Sequence, residues 1–201
     1  MNQKRELPNW EQVYQNQAVE SMPWFSPDLD PDLDSALSKL NLQSGTVLDL
    51  GTGPGTQAIA LAKRGFQVTA TDLSRTAIEN AQAKGNAQDL EIRWQQDDIL
   101  QSQLKESFDL VFDRGCFHTF EPNLRQDYVR VVAGLVKPHG YLILKCFSHK
   151  ETRPEGPYRF TPAEIEEIFG ESFQVQSIQE TLYNGTLNPP PLAIFCILQK
   201  S

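Results

Sequence analysis

The chain contains 201 residues, of which 39% are hydrophobic, and it has a formal net charge of -8. This length fits one domain that is large enough for a substantial core. The acidic balance disfavours nucleic acid as a partner, because affinity for nucleic acid comes largely from Lys and Arg side chains that neutralise phosphates.

The hydropathy of the chain and its first residues bear on its compartment. No apolar run approaches the about 20 residues that span a bilayer, and the mean hydropathy of -0.43 is ordinary for a soluble domain. The start, MNQKRELPNW, contains no apolar segment that could serve as a secretory signal. We therefore expect a cytoplasmic protein that has no membrane partner.

The cysteines are odd in number, lack CxxC spacing and lie in or beside apolar stretches. Disulfide frameworks and zinc sites need paired or closely spaced cysteines. We therefore expect no metal site, buried free thiols at Cys146 and Cys196, and a packing role for Cys116.

The first predicted element is a short amphipathic helix over residues 8–20. Trp10, Val13 and Tyr14 follow the i, i+3, i+4 spacing of one helix face. The next segment, SMPWFSPDLDPDLD, is rich in proline and contains the aromatic pair Trp24-Phe25, which indicates an ordered loop. These aromatic side chains precede the first strand, so they cannot belong to the first strand–helix unit.

A second helix is predicted to begin at Pro31. Asp30 is the expected N-cap, because an aspartate side chain accepts hydrogen bonds from the free N–H groups of the first turn and proline suits the first helical position. One face of this helix carries Leu33, Leu37 and Leu40. We expect it to be a packing helix.

Residues 47–57, VLDLGTGPGTQ, combine a short apolar run, a glycine-rich turn and the start of a helical pattern. Glycines at alternate positions leave no Cβ in the way, so a ligand can lie against the backbone. The turn opens into a helix N-terminus, which favours negative charge. This pattern predicts a strand, a ligand-binding turn and a helix, with ligand contacts from Gly51, Thr52 and Gly53.

Two kinds of nucleotide-derived ligand use such a turn. A dinucleotide fingerprint requires Gly-x-Gly-x-x-Gly/Ala, whereas the last position here is Thr56 and Gly55 comes one residue early. Asp49 can pair with a cationic ligand group, which S-adenosylmethionine offers through its amino group. The stretch VLDLGTGPGT resembles the first motif of class I S-adenosylmethionine-dependent methyltransferases, whose usual form is acid-x-Gly-x-Gly-x-Gly.

A second acid follows the second predicted strand, residues 66–71. Asp72 lies about 20 residues beyond the glycine turn, where nucleotide-binding sheets place a carboxylate for the ribose hydroxyls. The alternative is that Asp72 only caps the turn. The methyltransferase resemblance implies a further cofactor contact from Leu73, and Ser74 is the expected cap of the next helix.

A third acid follows the third predicted strand, residues 90–94. In the methyltransferases that the chain resembles, an acid at this point accepts a hydrogen bond from the adenine amine, and the next apolar residue stacks on the ring. The resemblance assigns these contacts to Asp98 and Ile99. Asp97 is the alternative acid, and both acids could instead be solvated loop residues.

The fourth predicted strand, residues 108–112, leads into the sequence DRGCFH. Ligands of such sheets bind outside the carboxyl ends of the strands, so this loop is expected to face the transferred methyl group. Asp113 is a predicted cofactor contact. Arg114 either contacts the site or forms a salt bridge beneath the loop, and His118 is either a base or substrate contact or a structural residue.

The rest of the chain continues the alternation of strands and helices. A helix is predicted over residues 124–135, a buried strand over 141–147, and a helix after the capping box of Thr161 and Glu164. The last predicted strands are 173–178 and 192–198. This order predicts an α/β fold, a Rossmann-like three-layer sandwich with a seven-stranded, mostly parallel sheet and an antiparallel C-terminal strand.

Further stretches extend the resemblance over nearly the whole chain: the prelude Trp10…Tyr14…Pro23-Trp24, the step Asp113-Arg114-Gly115 and the stretch Gly156-Pro157-Tyr158…Phe160-Thr161. They are similar to the thiopurine S-methyltransferase and thiol/halide methyltransferase-like group, with tellurite-resistance methyltransferases nearby. The resemblance implies that Trp10, Tyr14 and Trp24 close over the cofactor. We predict a single domain over residues 1–201, in which residues 1–44 form a helical lid and lead-in.

The resemblance implies an S-adenosylmethionine-dependent methyltransferase with a small-molecule acceptor, a thiol or a similar soft nucleophile. A thiol needs little general base, because part of it is ionised near neutral pH. One alternative is a small-molecule O-methyltransferase, which needs a base or a metal. Another is a non-catalytic regulatory protein that binds the same cofactor. A NAD-dependent oxidoreductase conflicts with Asp49 and with the acid after the third strand.

Overall fold

The computed structural model of the protein describes residues 7–201. Residues 1–6 lie outside the described residues, and the predictions of a lid and of no secretory signal fall partly on them. The helices are α1 (Trp10–Asn16), α2 (Pro31–Lys39), α3 (Thr56–Lys63), α4 (Arg75–Asn86), α5 (Arg125–Leu135) and α6 (Pro162–Phe169). The strands are β1 (Thr46–Leu50), β2 (Gln67–Asp72), β3 (Ile92–Gln96), β4 (Phe108–Arg114), β5 (Val136–Ser148), β6 (Arg159–Phe160), β7 (Phe173–Leu182) and β8 (Leu192–Lys200).

The strands form one sheet in the order β3-β2-β1-β4-β5-β8-β7. Neighbouring strands from β3 to β5 are parallel, and β8 is antiparallel to both β5 and β7. The predicted Rossmann-like, mostly parallel sheet with an antiparallel C-terminal strand is therefore confirmed. The sheet has eight strands and not seven, because β6 pairs with the end of β5. A strand of two residues is too short to leave an alternating pattern in the sequence.

Two hydrophobic cores lie on the two faces of the sheet, because successive side chains of a strand point to opposite faces. In β1, Val47 packs with α2 and α3, whereas Leu48 packs with α5 and α6. Both side chains are fully buried. This three-layer arrangement leaves the carboxyl ends of the parallel strands as the place where loops can build a site.

The predicted helix caps are confirmed. The Asp30 side chain accepts a hydrogen bond from Asp32 N at 3.0 Å, with Pro31 as the first residue of α2. Thr161 and Glu164 form a reciprocal capping box at the start of α6. Such caps satisfy N–H groups that have no partner inside the helix.

The first helix is shorter than the predicted range of 8–20. It ends at Asn16, and the backbone of Gln17 and Ala18 is extended. This extended step turns Val19 and Met22 into a separate buried cluster with Tyr14 and Ala77. Burial of these two apolar side chains explains why the helix does not continue. Within residues 7–201, none of the helices is long and apolar enough to cross a membrane.

Candidate functional site

The loops that follow β1, β2 and β4 lie side by side. In the sheet, β1 is the central strand of the three, with Leu50 paired to Thr71 on one side and to Asp113 on the other. Residues that are far apart in the sequence therefore meet at one edge of the sheet. This edge holds most of the predicted site residues.

The glycine turn after β1 has the backbone that its sequence predicts. Gly51 and Gly53 adopt φ values of 67° and 50°, in the left-handed region that favours glycine. A Cβ at Gly53 would come within 2.5 Å of the Tyr14 hydroxyl, so a larger residue does not fit there. Gly51 is exposed, and a Cβ there would lie 3.1 Å from the Cβ of Cys116. The turn thus presents bare backbone between the N-terminal segment and the loop after β4.

Asp49 lies beneath this turn and is only 2% exposed. Its Oδ2 accepts hydrogen bonds from Thr52 Oγ1 at 2.5 Å and from Ala58 N at 3.1 Å. Burial raises the pKa of Asp49 to about 6, even though these hydrogen bonds act in the opposite direction. The carboxylate therefore fixes the turn and the first turn of α3, and its charge changes near neutral pH.

Asp72 connects the end of β2 to the glycine turn. Its Oδ2 accepts a hydrogen bond from Gly53 N at 2.9 Å, and its Oδ1 accepts one from Ser74 N at 2.9 Å. Burial raises the pKa of this carboxyl. The predicted turn-capping contact is thus present, and each oxygen keeps a lone pair for a further donor. The next side chain, Leu73, is 53% exposed.

The acids after β3 differ in their surroundings. Asp98 is half-buried, and its Oδ1 accepts from Leu100 N at 3.0 Å. Asp97 is more deeply buried and accepts from Gln103 N through Oδ1 at 2.9 Å, while its Oδ2 has no hydrogen-bond partner within residues 7–201. Ile99 is 5% exposed and packs into the core on the α5 side. Asp98 is therefore the more accessible of the two acids.

Asp113 shapes the loop after β4 from below. It is fully buried, and Tyr128 Oη donates to its Oδ2 at 2.6 Å. The backbone N–H groups of Gly115, Cys116 and Phe117 donate to the same carboxylate. Burial raises the pKa of Asp113 to about 6 despite these donors. The side chain is therefore directed into the loop itself.

Arg114 binds the N-terminal segment to the far end of the sheet. Its Nε donates to Asp30 Oδ2 at 2.8 Å, its Nη1 donates to Trp24 O at 3.0 Å, and its Nη2 donates to Asn184 O. The guanidinium also lies 4.5 Å from the centroid of the Tyr183 ring. The salt bridge predicted as one alternative is present, and Arg114 also lines the cavity described below.

A buried charge cluster that the sequence patterns do not predict supports Arg114. Lys145 is fully buried and donates to both carboxylate oxygens of Asp30 and to Asp32 Oδ2. Thr181 Oγ1 donates to the same oxygen of Asp32 at 2.7 Å. The sequence signal for this cluster is the lysine within the near-continuous apolar run of β5, because a buried ammonium group needs a carboxylate partner.

His118 is buried among aromatic rings. Its Nδ1 accepts a hydrogen bond from Phe147 N at 3.3 Å, and its ring stacks on Tyr183 with a centroid distance of 5.8 Å. Burial, and after it the positive charge of Arg114, lowers the pKa of His118 to about 3. The imidazole is therefore neutral and held by the protein.

The N-terminal aromatic residues form a roof over the glycine turn. Trp24 Nε1 donates to Tyr14 Oη at 3.2 Å, and Trp10 packs edge-on against Trp24 with a centroid distance of 5.6 Å. Between this roof and the turn lies a small cavity of about 30 Å³. It is lined by Trp24, Ser26, Asp49, Gly51, Thr52, Pro54, Thr56, Gln57 and Arg114.

The cysteines are free thiols. Cys146 and Cys196 are buried, and Cys116 is half-buried against Gly51. Burial raises the pKa of the Cys116 thiol, so the thiol stays protonated. Within residues 7–201, no group of His, Cys, Asp and Glu side chains is arranged to hold a metal ion.

Comparisons with known proteins identify the family. The family model described as a methyltransferase domain matches residues 47–140. The chain is 29% identical to a probable thiol methyltransferase 2 of Arabidopsis thaliana over 163 residues, which are 79% of this chain and 70% of the relative. It is 26% identical to a thiopurine S-methyltransferase of Legionella pneumophila over 196 residues, with 85% of this chain and 89% of the relative covered. It is also 30% identical to an uncharacterized methyltransferase of Schizosaccharomyces pombe over 103 residues, which are 51% of this chain and 71% of that relative. The chain belongs to the S-adenosylmethionine-dependent methyltransferases.

A solved structure extends this likeness to the whole fold. This methyltransferase is similar, with a TM-score of 0.82 and 27% identity, to a protein described for the conversion of a disulfide bond into a thioacetal group during echinomycin biosynthesis. The superposition covers 96% of this chain and 91% of that protein. The cofactor of this methyltransferase is S-adenosylmethionine, and the family predicted from the sequence is confirmed.

Proposed function

We propose that this methyltransferase transfers the methyl group of S-adenosylmethionine to a small thiol or a similar soft nucleophile. The observation that carries the proposal is the state of His118, the imidazole of the loop after β4. It is 5% exposed and neutral, and its Nδ1 is occupied by a backbone N–H group. An acceptor that ionises by itself needs no base at this loop.

The names of two relatives support a sulfur acceptor. The Arabidopsis relative is described as a thiol methyltransferase and the Legionella relative as a thiopurine S-methyltransferase. Nucleic acid is a poor alternative acceptor, because the net charge of -8 opposes binding to phosphates. A location in the cytoplasm stays a prediction from the sequence.

The small cavity supports a site for the amino-acid end of the cofactor. An amino acid carries one positive and one negative group, and the cavity is lined by one acid, Asp49, and one guanidinium, Arg114. Both hydrogen bonds that Asp49 accepts within the turn go to Oδ2, which leaves Oδ1 for a ligand amine. We assign the amine to Asp49 and the carboxylate to Arg114, with the backbone of Gly51, Thr52 and Gly53 below them.

The nucleoside end fits the loops after β2 and β3. Asp72 keeps free lone pairs beside the bare backbone of the turn, which suits two ribose hydroxyls. Leu73 is exposed beside it and offers an apolar surface to the adenine. Asp98 is accessible for the adenine amine, and the buried Ile99 supports that loop from below. Asp113 then acts indirectly, by holding the loop after β4 in shape.

The N-terminal segment acts as a lid in this proposal. The cavity of about 30 Å³ has room for only one or two water molecules, and we propose that Trp24, which lines it, moves outward together with Tyr14 when the cofactor enters. Closing again excludes water, which matters because a methyl transfer depends on alignment of the two reactants. Residues 1–44 are thus the lid and lead-in of a single domain over residues 1–201.

The cofactor supplies a methyl group on a positively charged sulfur. The residues of this chain bind and orient the two reactants and keep water out. Cys116 lies at the turn but remains a protonated thiol, since burial raises its pKa and the nearby Asp113 and Asp72 raise it further. It is therefore a poor competitor for an ionised acceptor thiol.

A panel of small acceptors tests the proposal. Aliphatic and aromatic thiols, selenols and halides are compared with alcohols and phenols of matched size, and formation of S-adenosylhomocysteine is measured. We expect turnover with thiols or selenols that exceeds turnover with the matched hydroxyl compounds. Turnover confined to hydroxyl acceptors would replace the proposal with O-methyl transfer, and cofactor binding without turnover would indicate a regulatory protein.

A further inference from the structure

Glu11 connects helix α1 to the start of helix α4. Its carboxylate accepts hydrogen bonds from Ser74 Oγ at 2.7 Å, from Thr76 Oγ1 at 2.6 Å and from Thr76 N at 3.2 Å. Gln15, one turn further along α1, donates to the same carboxylate at 2.9 Å. A single side chain of α1 thus meets three donors at the first turn of α4.

The charge of Glu11 suits this position. The N-terminus of a helix presents unpaired N–H groups and the positive end of the helix dipole, which favour an acid. Hydrogen bonds from Thr76 and then from Ser74 lower the pKa of Glu11 to about 2. The carboxylate is therefore ionised near neutral pH.

The same contact lies next to the proposed cofactor site. Ser74 donates its hydroxyl to Glu11 and its backbone N–H to Asp72. On the other side, Tyr14 follows Glu11 on α1 and holds its hydroxyl above Gly53. Ser74 thus links Glu11 to Asp72, the proposed ribose ligand, and helix α1 links Glu11 to Tyr14.

We propose that Glu11 is a positioning residue of the cofactor site, which holds Tyr14 and Trp24 over the glycine turn by capping α4. The inference rests on the proposed roles of the lid and of Asp72. Glu11 acts through Ser74 and through the position of α1. Loss of this cap releases α1 from α4 and leaves the sheet and the two cores unchanged.

Hydrogen exchange of the full chain without cofactor tests the cap directly. In Glu11→Gln, the carboxylate charge is lost while the side chain keeps its size. We expect the amides of α1 to exchange about two- to fivefold faster than in the unmodified chain, as for loss of a charge at a helix N-terminus. Thr76→Val removes one donor from the other side, and the double variant should exchange no faster than the more affected single variant.

Glu20→Gln is the matched control. Glu20 is an acid of the same N-terminal segment, and its contact with α4 is an exposed ion pair with Lys84 at 3.8 Å. Such exposed pairs contribute little to stability. The α1 amides of Glu20→Gln should therefore exchange as in the unmodified chain. Unchanged α1 exchange in Glu11→Gln would refute the proposal. Faster exchange spread over the whole sheet, together with a lower urea midpoint, would show a general structural role and would refute it as well.

Kinetics provide the second readout. Glu11→Gln should raise the KM for S-adenosylmethionine by about the same factor as the exchange rate and leave kcat at saturating cofactor unchanged. A fall in kcat with an unchanged KM would contradict a positioning role. If the unmodified protein methylates no acceptor, the proposed function fails, while the exchange experiment still decides the role of Glu11.

Discussion

Lys145 Nζ lies 2.9 Å and 2.8 Å from the two carboxylate oxygens of Asp30, and both side chains are completely buried. Arg114 binds the same carboxylate and also the backbone of Trp24. The pair therefore links strand β5 to the segment that carries the aromatic roof. Charges so deeply buried have to be compensated in place.

The first prediction concerns the stability of this cluster. Lys145→Met leaves a buried carboxylate with Arg114 as its remaining cationic partner, so the free energy of unfolding should fall by about 3–5 kcal/mol. Urea unfolding measures the change. Lys137→Met is the matched control on the same strand, because its ion pair with Asp109 is partly exposed and should contribute less than about 1 kcal/mol. Equal effects of the two variants would contradict the buried-cluster account.

How far the sequence predicts this structure depends on how local each feature is. The glycine turn, the cap at Asp30 and the capping box at Thr161 follow from neighbouring residues, and all were predicted correctly. The bonds between Lys145 and Asp30 join residues 115 positions apart, and those between Glu11 and Thr76 join residues 65 apart. Periodicity and spacing in the sequence cannot predict such pairs, because only the folded chain brings these residues together.

The second prediction concerns the pH dependence of cofactor binding. The pKa of Asp49 is raised to about 6, so in the free protein this carboxyl becomes protonated as the pH falls through that value. A protonated carboxyl cannot pair with the cofactor amine. The affinity for S-adenosylhomocysteine should therefore weaken as the pH falls from about 7 to about 5. Asp49→Asn should bind weakly throughout, and calorimetry should find a flatter pH dependence in this variant.

The free energy of unfolding should depend on the same carboxyl in the opposite direction, because protonation of Asp49 weakens cofactor binding but stabilises the fold. The folded pKa of Asp49 lies above its ordinary value of 3.8, so the folded protein binds more protons than the unfolded chain between about pH 4 and pH 6. The stabilisation from this group is complete below the ordinary pKa and is lost as the pH rises through about 6. The contribution of Asp49 is measured as the difference between the unmodified chain and Asp49→Asn in how the free energy of unfolding depends on pH. Identical dependences in the two proteins would contradict the raised pKa of Asp49.

The third prediction concerns His118. Because its pKa is about 3, the imidazole stays neutral from pH 5 to pH 9. The rate should rise with pH through the pKa of the acceptor thiol, and the inflection should move when a more acidic thiol is used. His118→Asn keeps an acceptor for Phe147 N and should slow the reaction less than tenfold, against the about 10²- to 10⁴-fold loss expected for a general base. If the inflection of the pH–rate curve stays at the same pH for every acceptor thiol and is absent in His118→Asn, His118 would be identified as a base.

The fourth prediction concerns the lid. A chain that begins at Ala18 lacks Trp10 and Tyr14 but keeps Trp24, whose carbonyl binds Arg114. The deletion removes no residue of the sheet or of the two cores, so the shorter chain should fold. Cofactor binding should weaken, because the roof over the glycine turn is incomplete. Normal affinity and turnover in this shorter chain, measured beside a circular dichroism check of folding, would show that the N-terminal helix is not a lid.

Acceptors that carry a thiol and a hydroxyl in one molecule test the central claim most directly. 2-Mercaptoethanol and 4-mercaptophenol offer both nucleophiles at the same concentration, and a labelled methyl group on S-adenosylmethionine shows which atom receives it. Mass spectrometry and NMR of the product should find the label on sulfur for both compounds. Label on oxygen for either compound would contradict methyl transfer to a soft nucleophile.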